Sequence, residues 1–270
     1  MEFTSILSVL SSFFKTSVLT KKKSIPFTVF ILSPHPDDEC ISGSLALRLG
    51  LENQMKLINI AVTLGSNKER QKERLKELRD ANKVLNMKME VLGEDWKTKE
   101  KELKILLEKY RPQIVIAPHV KDHHPAHVKT GELLLKTVKK SKLPATIIAW
   151  SEFWGPQKKI NLLLEVPQEV LELQIKALQK HVGEIKRNPY HLRLPAWMMD
   201  NVRRGSELVS GKGSEAPNMA YGVLHQLQLL KNKKITSLKL KKSVLTSEDD
   251  IGQMFKLILL AASGSKTKTK

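Results

Sequence analysis

From residue 27 onward, short aliphatic and β-branched runs alternate with longer segments of helical periodicity. Five runs have the composition of buried strands, at 27–33, 56–62, 88–92, 113–117 and 145–150. Helical patterns lie between them, near 41–50, 67–87, 97–110 and 127–141. Strands that alternate with helices in this way predict an α/β fold, in which crossover helices cover both faces of a mostly parallel sheet.

The second half of the chain carries a weaker pattern. Residues 160–166 (INLLLEV) fit a sixth strand, and the apolar spacing within 167–186 predicts one long helix. The stretch 189–230 suggests short helices with a flexible loop at 210–214, and the residues after 230 could form strand or helix. With 41% hydrophobic residues the chain can close one sizeable core. We therefore assign residues 25–262 to a single domain.

The two ends are predicted to lie outside this domain. Residues 1–24 are interpreted as an amphipathic segment, because 3–19 are apolar with polar interruptions and a lysine cluster follows at 21–23. About 20 mostly apolar residues are needed to cross a membrane, so a spanning helix is not expected here. Two interpretations stay open: docking on the protein's own domain, or peripheral membrane contact through residues 3–23. The basic tail 263–270 is predicted to be disordered.

Charge and cysteine content bear on partners and location rather than on fold. The 46 Lys+Arg against 28 Asp+Glu give a net charge of +18, but most of the excess is lysine. Arginine is better suited to bidentate recognition of phosphates and bases, and aromatic residues for base stacking make up only 5%. Nucleic acid is therefore not the expected partner. A single cysteine, Cys40, excludes an intramolecular disulfide and favours a cytoplasmic setting.

The first predicted strand ends in a motif rich in ligand-type side chains, residues 33–39 (SPHPDDE). Helix capping is one explanation for the carboxylates, because Asp37 or Asp38 can accept hydrogen bonds from the free amides of a helix start. Capping does not explain why His35 is held between two prolines directly before them. The motif is therefore a candidate site for a metal ion or a substrate.

A second motif, residues 118–127 (PHVKDHHPAH), follows the fourth predicted strand and holds four of the eight histidines. Imidazole and carboxylate groups together are typical ligands of zinc. A helix beginning near Pro125 would place His127 on one face with His124 or His123, and the spacing does not choose between them. In a Rossmann-like sheet of order near 3-2-1-4-5, strands one and four are neighbours at the switch point. The two motifs are therefore predicted to meet in the crevice there.

The paired motifs resemble those of the PIG-L/LmbE-like family of zinc-dependent N-deacetylases. The resemblance covers about residues 27–183 and includes 63–65 (TLG). That family deacetylates N-acetylglucosaminyl-phosphatidylinositol and the N-acetylglucosaminyl precursors of the thiols mycothiol and bacillithiol. It implies a Rossmann-like three-layer sandwich and a hydrolase. The implied substrate is a small N-acetylglucosamine-type sugar or sugar conjugate, and the high net charge hints that this partner is anionic.

The resemblance also implies roles for the residues of both motifs. His35, Asp38 and His127 would bind one Zn2+ per chain, with Fe2+ as an alternative. Two imidazoles and one carboxylate leave a fourth position open for water, as in catalytic zinc sites. Asp37 would be the general base, and protonated His124 would stabilise the developing oxyanion.

Substrate contacts are implied for Arg74 and His181, and each has an alternative interpretation. Arg74 and Glu77 could form a helix-stabilising pair, and His181 could fill a helix interface. Ala126 stands where the family usually has an acidic or amide residue. A hydrogen bond to a metal ligand or to His124 is therefore predicted to be missing, which weakens such sites by about 10–100-fold.

Two further functions are kept as alternatives. The same centre could act as an amidase on a thiol–sugar conjugate. A different class is a catalytically weak basic protein on the same fold that binds nucleic acid or a membrane surface. Such a protein would show strongly salt-dependent binding without hydrolysis. The oligomeric state is not predicted by the sequence.

Overall fold

The computed structural model describes residues 17–264 and is built around one sheet. Its strands are β1 (Thr28–Ser33), β2 (Lys56–Ala61), β3 (Lys88–Val91), β4 (Ile114–Pro118), β5 (Thr146–Ser151), β6 (Leu162–Glu165), β7 (Gly222–Lys231), β8 (Lys234–Ser237) and β9 (Val244–Leu245). The order across the sheet is β3-β2-β1-β4-β5-β7-β6-β9, and β8 pairs with β7. Strands β3, β2, β1, β4 and β5 are mutually parallel. The predicted α/β class and the 3-2-1-4-5 order are confirmed.

Helices connect and flank these strands. They are α1 (Asp38–Ile41), α2 (Ser44–Asn53), α3 (Gln71–Val84), α4 (Trp96–Tyr110), α5 (Pro125–Lys140), α6 (Gln168–Leu178), α7 (Val182–Arg187), α8 (Tyr190–Ser210) and α9 (Ile251–Ala262). The cluster that contains Val29 and Ile31 of β1 includes side chains from α2, α3, α6, α8 and α9. The cluster that contains Phe30 and Leu32 includes side chains from α4 and α5. Alternate residues of a strand point to opposite faces, so both faces of the sheet are covered by helices.

The prediction of a single long helix over 167–186 is wrong, because the helical conformation is interrupted between α6 and α7. This interruption is called the α6–α7 break. His181 lies at this break with φ −82° and ψ 61°, outside helical geometry. The apolar spacing that suggested continuity runs through Val182, yet this side chain is 59% exposed. Val182 therefore does not belong to the buried face that α6 presents to the core.

The prediction of short helices within 189–230 is also wrong. The 21-residue α8 runs from Tyr190 to Ser210 and carries the buried Pro195 inside it. Strand β7 follows and pairs antiparallel with both β5 and β6. This strand was not predicted from the sequence, although 226–229 (QLQL) alternates in polarity. A tight hairpin joins β7 to β8 through Asn232 and Lys233, which have φ values of 51° and 63°. Two consecutive positive φ values suit a two-residue hairpin turn.

The predictions for the ends of the chain fall largely outside the described residues. Residues 1–16 and 265–270 are not described, so the amphipathic segment, the disordered tail and the single-domain assignment stay predictions. Lys22 is bound to the domain, with its Nζ 3.2 Å from Glu52 Oε2 and 2.9 Å from the Ser247 carbonyl oxygen. Within residues 17–264, every helix is too short or too polar to cross a membrane.

The free energy of unfolding in acid is expected to depend on His225, a histidine on β7 that is only 1% exposed. Burial lowers its pKa from 6.5 to about 4, so the unfolded chain binds a proton between these values that the folded chain does not. Stability is therefore expected to fall by up to about 3 kcal/mol as the pH drops through this range. In urea unfolding at pH 7 and pH 4.5, His225→Leu should flatten this dependence. Parallel losses in both proteins would contradict the assignment.

Candidate active site

The two sequence motifs meet at the carboxyl ends of β1 and β4. These strands are parallel neighbours, with Phe30 paired to Val115, so the loops that follow them leave the sheet side by side. The ring centroids of His35 and His124 are 4.8 Å apart, and those of His35 and His127 are 5.5 Å apart. Residues about ninety positions apart in the sequence therefore form one cluster at the switch point.

A carboxylate lies between two of the imidazoles. Asp38 Oδ2 is 3.3 Å from His35 Nδ1 and 3.5 Å from His127 Nε2. Ligand atoms about 2.0–2.1 Å from a tetrahedral zinc ion are about 3.3 Å from each other, so these separations fit a shared ion. A donor nitrogen of His124 also lies within 4.8 Å of donor nitrogens of the other two histidines. His124 is therefore a further potential ligand.

The surroundings of His127 are those of a metal ligand rather than of a paired core histidine. The residue is 1% exposed, and neither ring nitrogen has a hydrogen-bond partner among the described residues. Burial opposes its protonation, but the carboxylates of Asp38 and Asp122 raise its pKa above the usual value. Unpaired buried nitrogens are costly, and a bound cation would satisfy one of them. The ring stacks on Phe153, with centroids 5.6 Å apart, which fixes its plane.

Asp122 organises the second motif and was missed as a site residue, although it stands inside the histidine cluster. Its Oδ1 accepts a hydrogen bond from the His124 amide at 2.8 Å, and its Oδ2 accepts one from the Trp154 amide at 3.2 Å. The same Oδ2 is 3.8 Å from His127 Nδ1. Burial raises the pKa of Asp122, but His127 and the amide donors lower it below its usual range. The buried Asp122 carboxylate therefore links the second motif to the loop after β5.

Asp37 has an unusual backbone conformation, with φ 119° and ψ −29°. This residue precedes α1 but its side chain makes no capping hydrogen bond, so the capping explanation fails for it. Non-glycine residues in such regions cost about 1–3 kcal/mol and cluster at functional sites. Burial, together with the charges of Asp38 and Glu39, raises the pKa of Asp37 well above its usual range, and Arg74 opposes this shift.

The neighbouring Asp38 behaves in the opposite way. Burial raises its pKa, but His127 and His35 outweigh that effect and lower the pKa to about 2. The pKa values of the adjacent Asp37 and Asp38 are thus shifted in opposite directions. Such a difference is typical of active sites in which one group transfers protons and the other stays charged. Asp38 is suited to remain an anion, and Asp37 is suited to take up a proton.

His124 is the N-cap residue of α5, and Pro125 is the first residue of this helix. The Nδ1 atom of His124 accepts a hydrogen bond from the Ala126 amide at 3.3 Å. Burial and the nearby rings of His35 and His127 lower its pKa below the usual value. The lowered pKa and this hydrogen bond favour a ring that carries its hydrogen on Nε2, and the protonated form expected from the family resemblance stays a prediction. Ala126 supplies only its amide, since it has no acidic side chain.

These groups open into a cleft of about 760 Å³. An aromatic wall, defined as Phe153, Trp154 and Tyr190, lines one part of the cleft. Trp96, Lys99 and Lys129 line another part. Burial and the charge of Asp37 raise the pKa of Tyr190 to about 12, so its hydroxyl stays a neutral donor.

Arg74 lines the cleft beside the first motif. Its Nη2 donates to the Pro36 carbonyl oxygen at 3.0 Å and lies 3.8 Å from Glu184 Oε2. The alternative pairing with Glu77 is not observed, because Glu77 Oε1 instead accepts a hydrogen bond from the Gly183 amide at 2.8 Å. Gly65, with φ 87°, permits this packing, since a Cβ there would lie 2.2 Å from Arg74 Nη1.

His181 is not placed where a substrate contact was expected. It is fully buried, and its Nε2 is 2.7 Å from Glu39 Oε1. The residues that line the cleft do not include it. The break between α6 and α7 turns the ring toward the first motif, so the helix-interface alternative describes its position.

The fold and the cluster define a Rossmann-like α/β protein with a candidate metal centre at its switch point. The sequence profile described as "PIG-L: GlcNAc-PI de-N-acetylase" matches residues 30–138, which include both motifs. Over these residues the chain is similar to the PIG-L family. The comparison with curated proteins gave no match.

Several solved structures share the fold at low sequence identity. An N,N'-diacetylchitobiose deacetylase from Pyrococcus horikoshii has 21% identity and a TM-score of 0.58, covering 84% of this chain and 93% of that one. The 4-carboxy-2-hydroxymuconate hydratase GalB from Pseudomonas putida KT2440 has 15% identity and a TM-score of 0.61, covering 81% and 100%. The zinc-inhibited form of teicoplanin deacetylase Orf2 has 12% identity and a TM-score of 0.56, covering 74% and 97%. A hydratase among them means that the fold alone does not fix the reaction.

Proposed function

We propose that the chain is a metal-dependent N-deacetylase that removes the acetyl group from an N-acetylglucosamine-type sugar or sugar conjugate. The observation that carries this proposal is the meeting of Asp37, Asp38 and three histidines in one cleft, with opposite pKa shifts on the two aspartates. The similarity of residues 30–138 to the PIG-L family supports the same reaction class.

His35, Asp38 and His127 would hold the cation, and Zn2+ is proposed with Fe2+ as the alternative. The separations of 3.3 Å and 3.5 Å from Asp38 Oδ2 and the unpaired nitrogens of His127 support this ligand set. A divalent cation supplies Lewis acidity, which polarises an amide carbonyl and makes water more acidic near neutral pH.

Asp37 and His124 have different roles in the reaction. Asp37 accepts a proton from the attacking water, and its raised pKa lets it pass that proton to the leaving nitrogen as the C–N bond breaks. His124 donates a hydrogen bond from Nε2 to the oxygen on which negative charge develops. Acetate and a free amine are the products.

The cleft supports a substrate of sugar size that carries an anionic group. The aromatic wall offers faces against which a pyranose can pack, and Trp154 is 47% exposed. Lys129 and Arg187 also line the cleft and can attract an anionic substituent. The predicted cytoplasmic location and the membrane contact through residues 3–23 stay predictions.

The proposal is tested by incubating the full-length protein with N-acetylglucosamine, its oligomers and inositol conjugates, and quantifying amine and acetate. Equal amounts of both products are expected, with loss on chelation and recovery on addition of Zn2+. Cleavage of a thiol–sugar amide alone would favour the amidase alternative. Salt-dependent binding by the Zn2+-loaded protein without hydrolysis of any of these amides would overturn the enzyme assignment.

Arg74→Ala should change the pH dependence of this reaction. The Arg74 cation stabilises the Asp37 carboxylate, so its removal raises the pKa of Asp37 further and moves the acidic limb of kcat/KM to higher pH. At pH 6 we expect kcat/KM to fall by about tenfold or more, since a hydrogen bond from a charged group is also lost. Arg74→Lys keeps the charge and is the control. A higher KM with an unmoved acidic limb would restrict Arg74 to substrate binding.

A further inference from the structure

A buried hydrogen-bonded pair joins the last residue of the first motif, Glu39, to His181, and it has no part in the proton transfers described above. Glu39 and His181 are both fully buried. His181 Nε2 is 2.7 Å from Glu39 Oε1, and Glu39 Oε2 accepts a hydrogen bond from the Asp37 amide at 3.0 Å. A chain of two hydrogen bonds therefore joins the α6–α7 break to the backbone of Asp37.

The backbone of Asp37 needs such a restraint. Its φ of 119° is unfavourable for a residue with a side chain, and such conformations persist only when the surroundings fix them. On one side, the Asp37 carbonyl oxygen accepts hydrogen bonds from Cys40 at 2.9 Å and Ile41 at 3.1 Å. On the other side, Glu39 holds the amide. The peptide groups on both sides of Asp37 are thus fixed by hydrogen bonds, and this sets the direction in which the Asp37 side chain points.

His181 fixes Glu39 in turn. A buried carboxylate next to two others is costly unless it is paired, and His181 supplies the partner on Oε1. The His181 carbonyl oxygen accepts hydrogen bonds from the amides of Glu184 at 3.0 Å and Ile185 at 2.9 Å, which starts α7 directly after the break. The interruption of the helix therefore places the imidazole within reach of the motif.

A second metal ion is the other use that these side chains suggest, because donor atoms of Glu39, Cys40 and His181 lie within 4.8 Å of one another. The direct contact of 2.7 Å between His181 Nε2 and Glu39 Oε1 already engages both of these donor atoms. The geometry therefore favours a hydrogen-bonded pair over an ion site.

We propose that Glu39 and His181 form a positioning pair, which holds the strained backbone of Asp37 so that its carboxylate faces the reacting amide. The proposal rests on the proposed function in the role that it gives to Asp37. Neither member of the pair touches the substrate, so both are positioning residues rather than catalytic ones.

The kinetic test compares His181→Ala and Glu39→Ala with the wild type, all as full-length, metal-loaded protein. A decrease in kcat of about 10–100-fold is expected, as for other losses of supporting hydrogen bonds around a site. KM and a metal content of one ion per chain should stay unchanged. Glu39→Gln keeps an acceptor for the Asp37 amide, so it should retain more of kcat than Glu39→Ala. His225→Ala removes a histidine of similar burial elsewhere and should leave kcat unchanged.

A second measurement does not depend on turnover. Hydrogen exchange of the 35–41 peptide, followed by mass spectrometry, should be faster in His181→Ala and Glu39→Ala but not in His225→Ala. If the alanine variants do not fold, Glu39→Gln and His181→Gln are compared instead, with smaller changes of the same sign expected. If the wild type hydrolyses no N-acetyl sugar, the proposed function fails while the exchange data still test the pair.

Several results would overturn the positioning pair. Unchanged kcat, or unchanged exchange of the 35–41 peptide, would show that Asp37 does not depend on it. Metal loss in proportion to the loss of activity would assign the pair to the metal centre. Two ions per wild-type chain, with one lost in His181→Ala, would instead establish a second cation site. An equal loss in Glu39→Gln and Glu39→Ala would exclude the hydrogen bond to the Asp37 amide as the cause.

Discussion

Asp37→Ala is expected to lower kcat by about 10²–10⁴-fold, the usual contribution of a general acid–base group, while one metal ion per chain is retained. The physical reason is the contrast between the two aspartates. The raised pKa of Asp37 suits it to proton transfer, whereas the lowered pKa of Asp38 suits it to a cation. The measurements are kcat on an N-acetyl sugar and metal content by elemental analysis.

Two controls separate chemistry from folding in this experiment. Asp37→Asn keeps the size of the side chain but cannot accept the proton, so it should be as inactive as the alanine variant. Asp80→Ala removes a carboxylate from α3, whose partners are the exposed Lys76 and Lys83, and should leave kcat unchanged. Loss of the metal from Asp37→Ala would contradict the separation of roles between the two aspartates.

His127→Gln is expected to reduce metal content and to bring activity down to that of the chelated wild type. His127 is buried between Asp38, Asp122 and Phe153, with both ring nitrogens unpaired among the described residues, so no other role in this site accounts for it. Glutamine keeps most of the buried volume and limits the loss of packing. Calorimetric titration of the chelated protein with Zn2+ measures the effect.

The matched control is His123→Ala, because His123 belongs to the same sequence motif but its side chain is exposed. Its metal affinity should equal that of the wild type. Full metal content with undiminished activity in His127→Gln would show that His124 and His35 suffice as imidazole ligands. The ligand set would then be His35, His124 and Asp38.

The fold and the meeting of the motifs could be predicted because they depend on local, periodic signals. Buried parallel strands are nearly continuous apolar runs, and their order follows from a small set of topologies. Once β1 and β4 are neighbours, His35 and His127 must end at the same edge. The antiparallel β7 was missed because its place in the sheet depends on pairing with strands far away in the sequence.

The site itself could be predicted only in part, since the remaining features depend on non-local contacts. His181 matched a family position, but its direction depends on the break before Val182, which the apolar spacing concealed. Asp122 stands within the second motif, yet its role depends on amides contributed by the loop after β5. The lowered pKa of His124 follows from burial and neighbouring rings, which spacing does not describe.

The conformation of residue 37 has a consequence for how this protein tolerates change. Glycine adopts a positive φ without steric penalty, so a glycine there would relieve local backbone strain at the cost of the carboxylate. Selection for thermal robustness and selection for turnover are therefore opposed at this one position. A lineage that no longer needed the reaction would be free to drift toward glycine, and a homologue that keeps aspartate there carries a signature of continued use.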